Sequence, residues 1–412
     1  MRKPNIVILG AGYGGLITTK KIEKILRGGE ANITLINKHE YHYITTQLHK
    51  VGVGTACDRK IALSIPCLID NQKTSFIVGA VTNVDSAQQV VQLESGDEIP
   101  YDYLVISLGF EVATFGIPGI REHAFEIRSF RSSKAIHHQI IKQLSLYKED
   151  GDPSRLTFAV AGGGFTGIEM LGELAEGLPR LCKEYEVPFE KVKIVGIEAA
   201  DSLIPFLGEE LIAYTSKIME KHQIEILTST KILSCTEESI QLEGGVNLPC
   251  RTLIWSCGVK ANSILEKFGL PLVRGKVPVE KDLRVKGFDN IFCIGDCALF
   301  MKDEKTALPP TAQVAMQQAD ICGQNIVSLI RRTDLKTFEY HHKGSVASIG
   351  DKTAVGKVGS FRMSGWFAAI MKRVIENRYL FVLGGPSLIL KQTVFVKQEP
   401  IKVARKQQQS TN

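Results

Sequence analysis

Ile6-Val-Ile-Leu-Gly-Ala-Gly-Tyr-Gly-Gly15 joins four consecutive apolar residues to a turn with glycines at positions 10, 12 and 15. The apolar run is typical of a buried parallel strand, and the glycines let the chain turn tightly into a helix. Backbone N–H groups at the start of such a helix point outward at the positive end of the helix dipole, where they suit a pyrophosphate. The stretch therefore predicts a first dinucleotide site that uses Gly10, Gly12 and Gly15.

The residues after this turn support the same interpretation. Apolar residues recur at helical spacing from Leu16 to Leu26, and two glycines end the predicted helix. A second apolar strand, residues 33–36, leads to Asn37, at the separation of about 20 residues where this motif places a ribose-binding side chain. Asn37 lacks the negative charge that repels a 2′-phosphate, so this site alone does not select its nucleotide. A glycine-rich turn without a ligand is the alternative, which the complete strand–turn–helix–strand context disfavours.

The same pattern recurs about 150 residues later. An apolar strand, residues 156–160, is followed by Gly162, Gly164 and Gly167 and then by a helical pattern. The next apolar strand ends in Glu198, and we attribute its longer separation from the glycines to an insertion that contains two prolines. Glu198 can accept two ribose hydroxyls and repels a 2′-phosphate, so a second site that favours NADH over NADPH is predicted. A solvated acid at a strand end is the alternative.

Size and composition are those of a globular protein with more than one domain. The chain has 412 residues, of which 44% are hydrophobic and 23% charged, and this length favours two or three domains. The nine cysteines have no framework spacing, and we find neither a signal peptide nor an apolar stretch of about 20 residues. We therefore expect a reducing, cytosolic environment. The histidines at 39, 42 and 49 lack companions for a metal site, so no metal is predicted.

Two nucleotides in one chain suggest a redox pair. A flavin dinucleotide and a nicotinamide dinucleotide make chemical sense together, because one accepts a hydride and the other donates it. Two further apolar strands end in glycine, and one of them leads to Asp296, at the carboxyl end where open α/β sheets bind ligands. Asp296 is therefore a candidate cofactor ligand. A helix is predicted from Pro310 to about Arg332.

The sequence resembles the flavoproteins with two dinucleotide-binding domains, and within them it is very similar to the type II NADH:quinone oxidoreductase family. The resemblance covers residues 6–391. Its most specific motifs are Leu35-Ile-Asn-Lys38 with Tyr41-His-Tyr43, Gly163-Gly-Phe-Thr-Gly-Ile-Glu169, Ile294-Gly-Asp-Cys297 and Pro309-Pro-Thr-Ala-Gln-Val-Ala-Met-Gln317.

The resemblance implies FAD and NADH as cofactors, a quinone (menaquinone or ubiquinone) as acceptor, and a role for each motif. The residues implied for FAD are Gly10, Gly12, Gly15, Asn37, Lys38, Asp296, Ala312 and Gln313; those for NADH are Gly162, Gly164, Gly167 and Glu198. Glu169 is implied near the nicotinamide and the flavin, where it tunes hydride transfer or handles protons. Gln313 and Gln317, four residues apart on one helix, are implied in the quinone pocket.

The cysteines argue against an internal sulfur relay. No close cysteine pair follows the first fingerprint, and the chain has no cysteine after Cys322, unlike a sulfide:quinone oxidoreductase. The flavin is therefore expected to reduce an external acceptor. Two alternatives stay open: a soluble NADH-dependent reductase of a ferredoxin-like protein, and a flavin-bound redox sensor that binds NADH without turnover.

The net charge of +6 is concentrated at the carboxyl end, because residues 361–412 hold nine Lys or Arg against two Glu. From Trp366 the apolar residues Phe367, Ile370, Met371, Val374 and Ile375 share one helical face, with Lys372, Arg373 and Arg378 around it. This pattern predicts an interfacial helix, with a dimerisation helix as the alternative. Truncation after Arg362 is expected to release the protein from membranes and to abolish quinone reduction but not ferricyanide reduction.

These observations together predict an α/β protein with two Rossmann-like domains and a membrane-associating carboxyl end. We expect an FAD domain over residues 1–113 and 270–330, an NADH domain over residues 114–269, and a membrane-associating region over residues 331–412. We also expect a peripheral, monotopic protein at the cytoplasmic face of the cell membrane, a homodimer, and no nucleic-acid partner.

Overall fold

The computed structural model describes residues 2–394, so residues 395–412 of the predicted carboxyl-terminal region lie outside the described residues. Within residues 2–394 the α-helices are α1 (Tyr13–Ile25), α2 (Leu48–Val53), α3 (Asp58–Ile61), α4 (Ile120–His123), α5 (Phe130–Asp150), α6 (Phe165–Glu184), α7 (Glu209–Lys221), α8 (Ala312–Arg331) and α9 (Gly365–Val394).

The strands of the amino-terminal half are β1 (Asn5–Leu9), β2 (Asn32–Asn37), β3 (Tyr41–Tyr43), β4 (Ala62–Ser64), β5 (Thr74–Val78), β6 (Val81–Asp85), β7 (Val90–Leu93), β8 (Glu98–Pro100), β9 (Tyr103–Ile106), β10 (Phe110–Val112), β11 (Phe125–Glu126), β12 (Thr157–Ala161) and β13 (Lys193–Ile197). Those that follow are β14 (Ile224–Leu227), β15 (Ile232–Cys235), β16 (Ser239–Leu242), β17 (Asn247–Pro249), β18 (Thr252–Trp255), β19 (Val259–Ala261), β20 (Val277–Pro278), β21 (Ile291–Cys293), β22 (Ala298–Leu299), β23 (Ser345–Ile349), β24 (Thr353–Val358) and β25 (Phe361–Ser364).

Two parallel sheets of five strands carry the two glycine patterns. The first sheet has the order β21-β9-β1-β2-β5, and the second has the order β11-β18-β12-β13-β14. Each contains a strand that leads into a glycine turn, β1 or β12, and is interrupted by a three-stranded antiparallel meander, β6-β7-β8 or β15-β16-β17. The predicted α/β class with two Rossmann-like sheets is confirmed.

Burial explains why these strands are apolar throughout. Ile6, Ile8 and Leu9 of β1 have no exposed surface, nor have Phe158 and Val160 of β12. A parallel strand that is covered on both faces shows this continuous apolar pattern instead of alternation. The two passages of the chain between the sheets, β10 and β19, pair with each other in antiparallel fashion.

The helix after the second glycine turn is longer than the sequence predicts. Pro179, one of the two prolines expected in an insertion, instead lies inside α6, which continues to Glu184. Leu181 and Cys182 are buried on its last turns, so packing outweighs the loss of one backbone hydrogen bond at the proline. The predicted helix after Pro310 is confirmed as α8.

The carboxyl-terminal part consists of the antiparallel sheet β23-β24-β25 and helix α9. The helix is kinked at Gly384 and Gly385, which have non-helical backbone angles, and Pro386 follows the kink. Within residues 2–394, no helix combines the length and the apolar character that crossing a membrane requires.

Candidate functional site

The first glycine turn is shaped by two close backbone approaches. Gly10 has φ +91°, and a Cβ built there would lie 2.4 Å from the carbonyl oxygen of Ser107, at the end of the neighbouring strand β9. A Cβ at Gly15 would lie 1.8 Å from the carbonyl oxygen of Gly10. Both positions require glycine for the fold itself, because no side chain fits between these backbone segments.

The second glycine turn repeats this arrangement. Gly162 has φ +105°, and a Cβ at Gly167 would lie 1.8 Å from the carbonyl oxygen of Gly162. The backbone N–H of Gly162 donates to Ile197 O at 2.8 Å, as the N–H of Gly10 donates to Ile36 O at the same distance. The two turns therefore hold two helix amino termini in the same relation to their sheets.

The middle glycine of each turn, Gly12 or Gly164, is not required by the fold in the way that the other two are. Apart from atoms of the glycine itself and its two chain neighbours, no heavy atom of the described residues lies within 4 Å of a Cβ built at Gly12 or at Gly164. Their φ angles, −75° and −76°, are accessible to any residue. Neither packing nor backbone geometry therefore demands glycine, and both positions leave space at a helix amino terminus. This space fits the close approach of a dinucleotide pyrophosphate to the backbone, so the residues fit FAD and NADH.

Asn37 and Glu198, predicted as ribose ligands, lie at the carboxyl ends of equivalent strands and brace the turns. Asn37 Oδ1 accepts a hydrogen bond from Ala11 N at 2.9 Å, and its Nδ2 donates to His39 O at 2.8 Å. Glu198 Oε2 accepts a hydrogen bond from Gly163 N, and its Oε1 accepts one from Ala200 N at 2.7 Å. Each side chain thus holds the residue that follows the first glycine of its turn.

The other residues predicted for the first nucleotide lie at the same edge of the first sheet. Asp296 follows β21 and is partly buried, and burial raises the pKa of its carboxyl group. Gln318, which was not predicted from sequence, is buried on α8 and accepts a hydrogen bond from Gly295 N at 2.7 Å. Ala312 begins α8, which Thr311 caps. Lys38 is exposed beside Asn37.

Glu169 lies buried at the start of α6 in an ionisable cluster. Its Oε1 accepts hydrogen bonds from Lys372 Nζ at 2.7 Å and from Ser348 N at 3.2 Å. Burial raises the pKa of Glu169, but the charge of Lys372, together with the hydrogen bonds from Lys372 and Ser348, outweighs this effect, so the pKa is below the ordinary value. Glu169 is therefore an ionised carboxylate held against a lysine of the carboxyl-terminal helix.

His49 and Glu173 extend this cluster and were not singled out as site residues from sequence. His49 Nδ1 lies 3.7 Å from Glu169 Oε2, and His49 Nε2 lies 3.8 Å from Glu173 Oε2. Burial lowers the pKa of His49 to about 4, so the imidazole is neutral at pH 7. The spacing of Glu169 and Glu173, four residues apart on one predicted helix, was the available signal.

Gln313 and Gln317 share one face of α8, as predicted, and both amides hold the segment before β23. Gln313 Nε2 donates to Gly344 O at 3.1 Å, and its Oε1 accepts from Lys343 N at 2.7 Å. Gln317 exchanges two hydrogen bonds with the backbone of His341, at 3.0 and 3.1 Å. The two glutamines therefore position residues 341–344 beside the amino terminus of α8.

All nine cysteines of the chain lie within residues 2–394 and are free thiols. Burial raises the pKa of Cys293 and Cys297, which flank Asp296, well above the ordinary thiol value. Thiols with raised pKa values are poor nucleophiles. The described part of the chain therefore contains no disulfide that relays electrons.

Helix α9 has two different apolar faces. Its outer face is exposed and carries Trp366, Phe367, Ile370, Val374, Ile375, Phe381 and Val382. On its inner face, Tyr379, Leu380 and Leu383 pack into the same core as Ile8 of β1. Lys372 also lies on the inner face against Glu169, so the expectation that it surrounds the lipid-facing apolar stripe was wrong.

Comparison with known proteins agrees with this geometry. Residues 4–319 match the family described as pyridine nucleotide-disulphide oxidoreductase. The chain is 36% identical over 399 residues to the type II NADH:quinone oxidoreductase of Staphylococcus aureus, with coverage of 95% of this chain and 99% of that protein.

Solved structures share the fold. The structure of NDH2 from Plasmodium falciparum in complex with NADH has a TM-score of 0.83 and 21% identity, with 96% of this chain and 100% of that chain covered. The sulfide:quinone oxidoreductase of Aquifex aeolicus has a TM-score of 0.76 and 20% identity, with 96% of each chain covered. From the family match and the identity over nearly its whole length, the chain belongs to the type II NADH:quinone oxidoreductase family of flavoproteins.

Proposed function

We propose that this chain is an FAD-dependent enzyme that transfers two electrons from NADH to a quinone. In the balanced reaction, NADH, a quinone and one proton give NAD⁺ and a quinol. The observation that carries this proposal is the pair of glycine turns, each open at its middle glycine, in a chain 36% identical to a type II NADH:quinone oxidoreductase. In this proposal the enzyme delivers electrons into a respiratory chain and does not pump protons.

Each of the two parallel sheets binds one nucleotide in this proposal. The turn of Gly10, Gly12 and Gly15 binds FAD, with Asn37 holding that turn and Asp296 near the ribityl chain. The turn of Gly162, Gly164 and Gly167 binds NADH, and Glu198 disfavours NADPH because its charge repels a 2′-phosphate. We assign residues 1–113 with 270–330 to the FAD domain, and residues 114–269 to the NADH domain. When bound, FAD supplies the chemistry that accepts a hydride and passes two electrons on.

Glu169 is the residue that we assign to tuning hydride transfer or to handling the protons that the quinone takes up. Lys372 keeps its carboxylate ionised in a buried position, where a charge acts more strongly than in water. Gln313 and Gln317 act at the quinone opening by holding residues 341–344 in place. In this role they shape the opening, and a quinone carbonyl that displaces a backbone partner can bind the same amides.

We further propose that the outer face of α9 lies on the surface of the membrane in which the quinone is dissolved. Trp366 is 70% exposed, and Phe367, Val374 and Phe381 are each more than half exposed. Such a continuous apolar stripe on a monomer marks an interaction surface. Membrane contact at the cytoplasmic face and a homodimer through the same region are both part of this proposal.

Purified protein, assayed for NADH oxidation with a water-soluble quinone in the presence and absence of liposomes, tests the function. FAD-loaded protein is expected to turn over, whereas a redox sensor would form a long-lived complex with NADH and reduce quinone at a negligible rate. The variant Glu169→Gln is expected to retain FAD but to lose about tenfold in quinone reduction, an effect of roughly 1.4 kcal/mol. The control is Glu220→Gln, which changes an exposed glutamate of α7 and should leave turnover unchanged.

A further inference from the structure

The inner face of α9 reaches the first glycine turn through a chain of buried hydrogen bonds. The Tyr379 hydroxyl lies 2.8 Å from His42 Nε2, and His42 Nδ1 lies 2.9 Å from the carbonyl oxygen of Ala11. Ala11 stands between Gly10 and Gly12 of the turn. Tyr379 is 7% exposed and His42 is 2% exposed, so water does not substitute for either contact.

The direction of each hydrogen bond follows from the groups themselves. A carbonyl oxygen only accepts, so His42 Nδ1 carries the proton and donates to Ala11. Burial lowers the pKa of His42 to about 4, so the ring is neutral and Nε2 is an acceptor. The Tyr379 hydroxyl must therefore donate to Nε2. Tyr379 thus selects the one tautomer of His42 that can hold the Ala11 carbonyl.

Holding this carbonyl orients the peptide group at the centre of the turn. Because the peptide bond is planar and trans, the N–H of Gly12 points opposite to the carbonyl of Ala11. The N–H of Ala11 is in turn held by Asn37 Oδ1 at 2.9 Å. Tyr13, the first residue of α1, packs against Tyr379 with ring centroids 4.5 Å apart. Both peptide groups of Ala11 are thereby clamped, one by Asn37 and one by α9.

We propose that Tyr379 is a positioning residue for the flavin: acting through His42, it holds the Ala11–Gly12 peptide in the orientation that binds the FAD pyrophosphate. The helix that faces the membrane on its outer side therefore retains the cofactor with its inner side. This inference rests on the proposed function, because it takes FAD as the ligand of the first glycine turn.

The test measures the dissociation constant of FAD for the apoprotein by fluorescence titration. The variant Tyr379→Phe removes one hydroxyl at unchanged shape and is expected to weaken FAD binding about fivefold to tenfold. The matched control is Tyr101→Phe, since Tyr101 is 2% exposed in a core that it shares with Val7 and Leu9 of β1, and its hydroxyl has no hydrogen-bond partner among the described residues. Its FAD affinity should equal that of the wild type.

A double-mutant cycle separates positioning from a general loss of stability. If Tyr379 acts through His42, then Tyr379→Phe in a His42→Phe background should not weaken FAD binding further. Unchanged affinity of the Tyr379→Phe single variant, or an equal loss in both backgrounds, would overturn the inference. Failure of the wild-type apoprotein to bind FAD would instead overturn the proposed function.

Discussion

Replacement of Lys372 by methionine is expected to lower the free energy of unfolding by about 3–5 kcal/mol at neutral pH. Lys372 Nζ lies 2.7 Å from Glu169 Oε1, and the two side chains are 12% and 8% exposed. At this distance the gross attraction is roughly 6 kcal/mol for an effective dielectric constant of about 20, and it offsets the desolvation of both charges. Methionine retains most of the packing volume but leaves the Glu169 carboxylate buried without its cation.

The pH dependence of this loss follows from the two pKa values. Burial opposes both charges, yet in the folded wild type the pair holds the pKa of Glu169 below 4.5 and that of Lys372 above 10.5. The carboxylate contributes stability above pH 4.5 that is lost as pH falls through its folded pKa. The ammonium contributes stability below pH 10.5 that is lost as pH rises through its folded pKa. The full contribution is therefore present between these two values.

In the Lys372→Met variant, burial of Glu169 is no longer opposed by a lysine, so the pKa of Glu169 rises and the group binds a proton on mild acidification. The difference in unfolding free energy between wild type and variant is therefore expected to narrow as pH falls from neutral. Urea-induced unfolding measures it at neutral and at mildly acidic pH.

Two further variants complete the experiment. One is the double variant Lys372→Met with Glu169→Gln, and the other is a control that breaks the exposed ion pair of Lys148 and Glu186. The double variant is expected to recover most of the loss, because the Glu169 carboxylate is then no longer buried without its cation. Lys148→Met breaks a pair whose side chains are 47% and 78% exposed, and it should change stability little. Additive effects of the two single variants at positions 169 and 372, or an equal loss for Lys148→Met, would refute the reasoning.

Three further predictions follow from the glycine turns, the glutamines and α9. The Gly12→Ala apoprotein is expected to unfold at the same temperature as the wild-type apoprotein but to bind FAD about tenfold more weakly or worse. The Gly15→Ala variant should unfold at a lower temperature, because its Cβ would lie 1.8 Å from Gly10 O. Gln317→Leu should retain FAD and lower quinone reduction about tenfold, since it frees His341, and wild-type turnover would exclude this role. Paired Phe367→Ser and Val374→Ser changes on the outer face of α9 should reduce sedimentation with anionic liposomes while the FAD content stays constant, and undiminished sedimentation would contradict the membrane placement.

The structure also changes the expected result of truncation after Arg362. From sequence, this truncation was expected to release the protein from membranes and to abolish quinone reduction but not ferricyanide reduction. Because Tyr379, Leu380 and Leu383 belong to the core that includes β1, removal of α9 exposes that core and removes the hydrogen bond to His42. We now expect the truncated chain to lose FAD, which absorbance at the flavin band measures directly. Without FAD it should reduce neither ferricyanide nor quinone.

What could be predicted from sequence rests on local requirements of the chain. The role of Gly15 and Gly167 can be predicted from sequence because a Cβ at either position would meet a backbone oxygen only five residues away. The strands β1 and β12 can be predicted from their apolar runs because strands covered on both faces need apolar residues at successive positions. The two nucleotide sites, the α/β class and the resemblance to the family all depend on such short stretches.

The tertiary structure decided the contacts that join distant parts of the chain. Lys372 and Glu169 are separated by 203 positions, and Tyr379 and His42 by 337. Sequence patterns identified α9 as amphipathic but could not show which cation turns inward, because a lysine on an amphipathic helix suits a lipid surface or a buried carboxylate equally well. Only the packing of α9 against the sheet β23-β24-β25 and the core around β1 brings Lys372 to Glu169, and burial of that carboxylate makes the inward position favourable.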